Sequence, residues 1–192
     1  MGLMIHSLGE LPANVERDYY VYLLDYGWDE PLGKVLNRNF GKMAEKASRH
    51  NAVVLRGVAG VHFSDEVLSW HQVNGQPGEE ILPAILITTR NPHEFHERCF
   101  CDIPNSKVED RMLLIPLRKS CKTTSDVVNM IDKLFRDIEE KKELTDFEIA
   151  NKLKKGRNGA LVDALILQPN ISGLGINFNS IIDFFRGKGQ NR

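Results

Sequence analysis

One feature constrains this chain more than any other. Short apolar runs suited to strands alternate along its length with segments whose apolar residues recur at helical spacing. The strand-like runs are YYVYLL from Tyr19, NAVVLRG from Asn51, ILPAILITT from Ile81, RMLLIPLRK from Arg111 and GALVDALILQ from Gly159. Between the first two, Val35, Leu36, Phe40, Met43, Ala44 and Ala47 make one apolar stripe. Ser64 is placed to cap a helix on which Val67, Leu68 and His71 share a face. Thr124 or Ser125 is placed to cap the strongest helical pattern, which runs through Val127, Met130, Ile131, Leu134, Phe135 and Ile138. Thr145 and Glu148 have the spacing of a capping box, and KKG closes that segment with cations and a glycine. Phe178, Ile181, Ile182 and Phe185 predict a last helix.

Strands alternating with helices, joined by connections long enough for crossovers, predict an α/β three-layer sandwich. The expectation is a mostly parallel five-stranded sheet, flavodoxin-like or Rossmann-like, with helices on both faces. Its strands fall near 19–25, 52–56, 81–89, 111–117 and 160–168. Residues 1–17 read as a loosely ordered leader, 18–187 as a single domain and 188–192 as a frayed tail. A length of 192 residues suits one core.

The formal net charge of −1 argues against nucleic acid as a general partner. No apolar run reaches the roughly 18–20 residues that cross a bilayer, so no membrane association is expected. The N-terminal stretch lacks the pattern of a secretion signal, and His6 stands where a myristoylation signal requires Ser or Thr. Three cysteines, Cys99, Cys101 and Cys121, form no disulfide framework. These features together predict a cytoplasmic protein.

In open α/β sheets, ligands bind outside the carboxyl ends of the strands. If all strands run one way, that rule gathers Asp25, Trp28, Asp29, Arg56, Arg90, Asn91, His93 and Arg118 along one rim as candidate ligand-binding residues. Guanidinium forks match phosphate oxygens, so an anionic small molecule suits such a rim. The catalytic candidates are Asp25 and His93 for proton transfer and Cys121 as a nucleophile beside Arg118 and Lys119.

The densest cluster of reactive side chains is NPHEFHERCFC, from Asn91 to Cys101. His93, His96, Cys99 and Cys101 are of metal-ligating type, but H-x2-H-x2-C-x-C does not suit one tetrahedral site, and no metal is expected. A capped helix explains more: Asn91 as N-cap, Pro92 in the first turn and Glu94 at the third helical position. SGLGIN, from Ser172, lacks the lysine of a P-loop, and no cofactor motif is complete. Lys152, Lys154, Lys155 and Arg157 read as a helix end, and Asp163 as a paired or edge carboxylate.

The element order is similar to that of TIR-like and receiver-like domains, which implies work through partners. A receiver-type site would also need a lysine where Gln168 stands. The first functional expectation is therefore a non-catalytic signalling, adaptor or accessory module that docks to a protein partner or to another copy. The alternative is a small enzyme or sensor that binds a nucleotide or other phosphorylated molecule at the sheet rim.

Overall fold

The computed structural model describes residues 1–27, 30–58, 62–71, 73–74, 81–97, 112–155, 165–167 and 176–177. The runs anticipated from the sequence form β2 (Tyr19–Leu24), β3 (Ala52–Gly57), β5 (Ala84–Thr88), β6 (Met112–Pro116) and β7 (Leu165–Leu167). One more strand, β1 (Gly2–Ile5), comes from the segment that the sequence suggested was a loose leader. Among the described residues they make a six-stranded sheet in the order β1-β3-β2-β5-β6-β7. A separate two-stranded parallel pair joins β4 (Val73–Asn74) to β8 (Ile176–Asn177).

The sheet is mixed, which corrects the expectation of a mostly parallel one. β1 and β2 both run parallel to β3. β5 is antiparallel to β2, β6 to β5 and β7 to β6. The reason for the error is physical. An uninterrupted apolar run reports a strand covered on both faces, and every β5 residue is buried. Burial on both faces does not fix direction.

Helices cover the two faces. α1 (Pro31–Arg38), α2 (Phe40–Arg49), α6 (Thr124–Glu139) and α7 (Glu148–Lys155) lie on one side. Their Leu36, Met43, Val127, Ile131, Leu134 and Ile149 pack on Val21, Leu23, Val54, Ile85 and Leu113. The other side takes α3 (Phe63–Trp70) and α4 (Pro92–Glu97), whose Phe63, Val67 and Phe95 meet Tyr20, Tyr22, Leu55 and Leu86. Successive strand residues thus divide between the two cores. A short α5 (Leu117–Ser120) follows β6.

Local signals differ from the sequence reading in two places. Thr123, not Thr124 or Ser125, caps α6, in a reciprocal box with Asp126. Ser64 lies inside α3, where its Oγ accepts from the Asp25 amide at 3.0 Å and so ties the helix to the end of β2. α7 begins at Glu148, whose amide donates to the buried Asp137 carboxylate at 2.7 Å; that carboxylate also accepts from Lys142. The anticipated last helix, Asp163 and the first four residues of SGLGIN lie outside the described residues, while its Ile176 and Asn177 form β8.

Candidate functional site

Strand direction decides which of the candidate residues meet. β2 and β6 run the same way, so Asp25 and Arg118 leave the sheet at one rim. β5 runs the other way and delivers Arg90, Asn91 and His93 to the opposite rim. The single rim predicted from the sequence is therefore two. Trp28, Asp29, Cys99 and Cys101 lie outside the described residues.

At the first rim, the Asp25 carboxylate accepts from the Gly27 amide and from Asn37 Nδ2, both at 3.1 Å. It lies against Gly33 of α1, where a Cβ would come within 2.7 Å of Oδ2. Arg118 donates to both Glu30 oxygens at 2.9 and 2.8 Å. That hydrogen bonding, with Asp25 adding to the field, raises the guanidinium above its ordinary value. Arg56 sits over the Phe40 ring at 5.4 Å. Tyr26 donates to Asp65 at 2.6 Å, across the gap between the ends of β2 and β3. α1 and α3 leave those two strands for opposite faces, which is the arrangement that opens a crevice in α/β proteins. At this position Asp25, Glu30 and Asp65 lie near the N-terminal ends of the two helices, and their charge opposes an incoming anion.

At the second rim, the anticipated cap is present. The His93 amide donates to Asn91 Oδ1 at 3.1 Å, and the Asn91 amide donates to Glu94 Oε1 at 3.2 Å. Asn91 is buried, and its Nδ2 donates to the Pro12 carbonyl at 3.0 Å. His93 Nε2 lies 2.7 Å from the Leu11 carbonyl. These residues fasten the segment that links β1 to β2. Arg90 donates to Glu94 at 2.8 Å. A groove of about 410 Å³ opens here between Arg17, Tyr20, Arg90 and three carboxylates, Glu16, Glu94 and Glu143. Acids outnumber the two arginines, so the groove has no net attraction for a phosphate.

His93 and His96 both pack on Trp70, at 5.3 Å edge-on and 4.3 Å stacked. Among the described residues, no group of three His, Cys, Asp or Glu is placed to hold a metal. Burial pushes the Cys121 thiol up to about 11, helped by Asp126, which keeps it protonated and opposes a nucleophilic role.

The feature the sequence reading missed is β1. In a strand, backbone groups alternate in the plane of the sheet. Val54 donates to the Met1 carbonyl and Val58 to the Ile5 carbonyl, so residues 1, 3 and 5 face β3. Gly2 and Met4 turn their N–H and C=O groups away from the sheet, and no described residue pairs with them. Met4 is 52% exposed. The only sequence signal was the uncharged run GLMI, too short to read as a strand.

No family model, no curated protein and no solved structure matches this chain. No helix among the described residues is long and apolar enough to cross a membrane.

Proposed function

We propose that this protein is a non-catalytic docking module, which takes up an extended segment of a protein partner along β1. The open edge of β1 carries the reading. Edge strands are usually guarded by proline, by charge or by a covering element. β1 contains no charged residue and no proline, and it presents the outward backbone groups of Gly2 and Met4 beside an exposed methionine. An added strand gains main-chain hydrogen bonds, and a flexible thioether adapts to varied side chains. The alternative of an anionic ligand at a rim has less support, because Arg56, Arg90 and Arg118 each already engage a ring or a carboxylate.

The test is a photo-reactive side chain in place of Met4, with a control at exposed Lys122. We expect a cross-linked protein adduct at position 4, absent at 122. Met4→Pro should abolish the capture, because it removes an outward donor and no bond to β3. Met4→Lys, which keeps the backbone and adds charge, should weaken it. No adduct at position 4, or equal capture at both positions, contradicts the reading.

A further inference from the structure

Resting on the docking reading, we propose that the strand received by β1 is β1 of a second copy of this chain, antiparallel across a two-fold axis at Leu3. Residues Gly2 and Met4 face outward on either side of Leu3. An antiparallel pairing centred there sets Gly2 of each copy opposite the partner's Met4, and both are hydrogen-bonded pairs. Each half-exposed methionine then meets a residue with no side chain, so the strand complements itself.

The helix above the strand extends the match. Phe40 and Ala44 of α2 sit directly over Gly2. Lys42 and Lys46 reach the other way, to Asp132 of α6. By helical spacing, Gly41, Ala44 and Ser48 lie on the flank of α2 opposite those lysines, bordered by Glu45, which pairs with Arg49. Small side chains let two helices approach closely. A four-residue strand alone covers far less than the roughly 800 Å² per partner of a stable interface. A lone peptide strand would leave the α2 flank bare. A second copy brings a strand and an identical flank together, as a two-fold interface requires.

Sedimentation velocity of the untagged chain over a concentration series tests this. The expected result is a reversible monomer–dimer equilibrium, with Met4→Pro and Gly41→Leu each weakening the dimer by about tenfold or more. A Cβ on Gly41 would meet no atom within 4 Å and leucine is the better helix former, so a thermal melt of dilute Gly41→Leu that does not fall would confirm an unstrained monomer. A monomer at every concentration overturns the second copy, and the Met4 cross-link then separates the two ideas. An adduct with another protein keeps the docking reading, and no adduct removes both. A dimer indifferent to Met4→Pro overturns the β1 route. A dimer sensitive to Met4→Pro but not to Gly41→Leu overturns the α2 contact.

Discussion

Where β2 and β6 end, Arg118 and Glu30 meet near the surface, their side chains 35% and 21% exposed. At the opposite rim, Asn91 is 4% exposed and turned onto the carbonyls of the chain's own N-terminal segment. Both regions are rich in residue types that bind ligands in other proteins. One spends them on a solvated ion pair and the other on buried fastening. Polar side chains at strand ends therefore mark where loops leave a sheet, and their burial and partners decide what they do. The difference between the rims should be measurable as a difference in stability.

The largest effect belongs to His71, which packs on Phe95 of α4 at the fastened side. Its Nδ1 lies 2.7 Å from the Val67 carbonyl, and its Nε2 has no hydrogen-bond partner among the described residues. Burial lowers it from 6.5 to about 4, so the folded protein holds a neutral ring that the unfolded chain protonates first. The stabilisation is complete above about pH 6.5 and is lost as pH falls toward 4, by roughly 3 kcal/mol. Urea titrations across that window should show the slope, and His71→Phe should flatten it. An unchanged slope would sever His71 from the acid sensitivity.

Asn91→Ala comes next. It removes a helix cap and the side-chain bond to the Pro12 carbonyl, which together should cost about 1–2 kcal/mol. Limited proteolysis should then cut within residues 11–17 faster than before. Equal cleavage rates would mean that the segment is held by something else.

Arg118→Ala should have the smallest effect, below about 1 kcal/mol, because partly exposed ion pairs contribute little. A larger loss, measured by the same urea titration, would make the two rims alike and break the comparison.

Much of this architecture was legible beforehand. The five runs rich in β-branched and large apolar residues became strands, and the Asn91-Pro92 cap was readable because it is built from neighbours in sequence. Strand direction was not legible, since hydrophobicity reports burial and not polarity of the chain. That one unknown put Arg90 and His93 at the far rim from Asp25. Ser64 misled for a related reason: a residue suited to capping was recruited by the distant Asp25 backbone. β1 escaped notice because four residues carry too little pattern, and its pairing with β3 spans some fifty positions.

Amide hydrogen exchange within β1 tests the docking edge most directly. Leu3 and Ile5 donate inward to β3 and should exchange slowly at any protein concentration. Gly2 and Met4 should exchange fast in dilute solution and become protected as concentration rises and a second β1 is received. Gly2 and Met4 amides that stay fast at every concentration, or that are already protected in a dilute monomer, would contradict an open edge that pairs with its own copy.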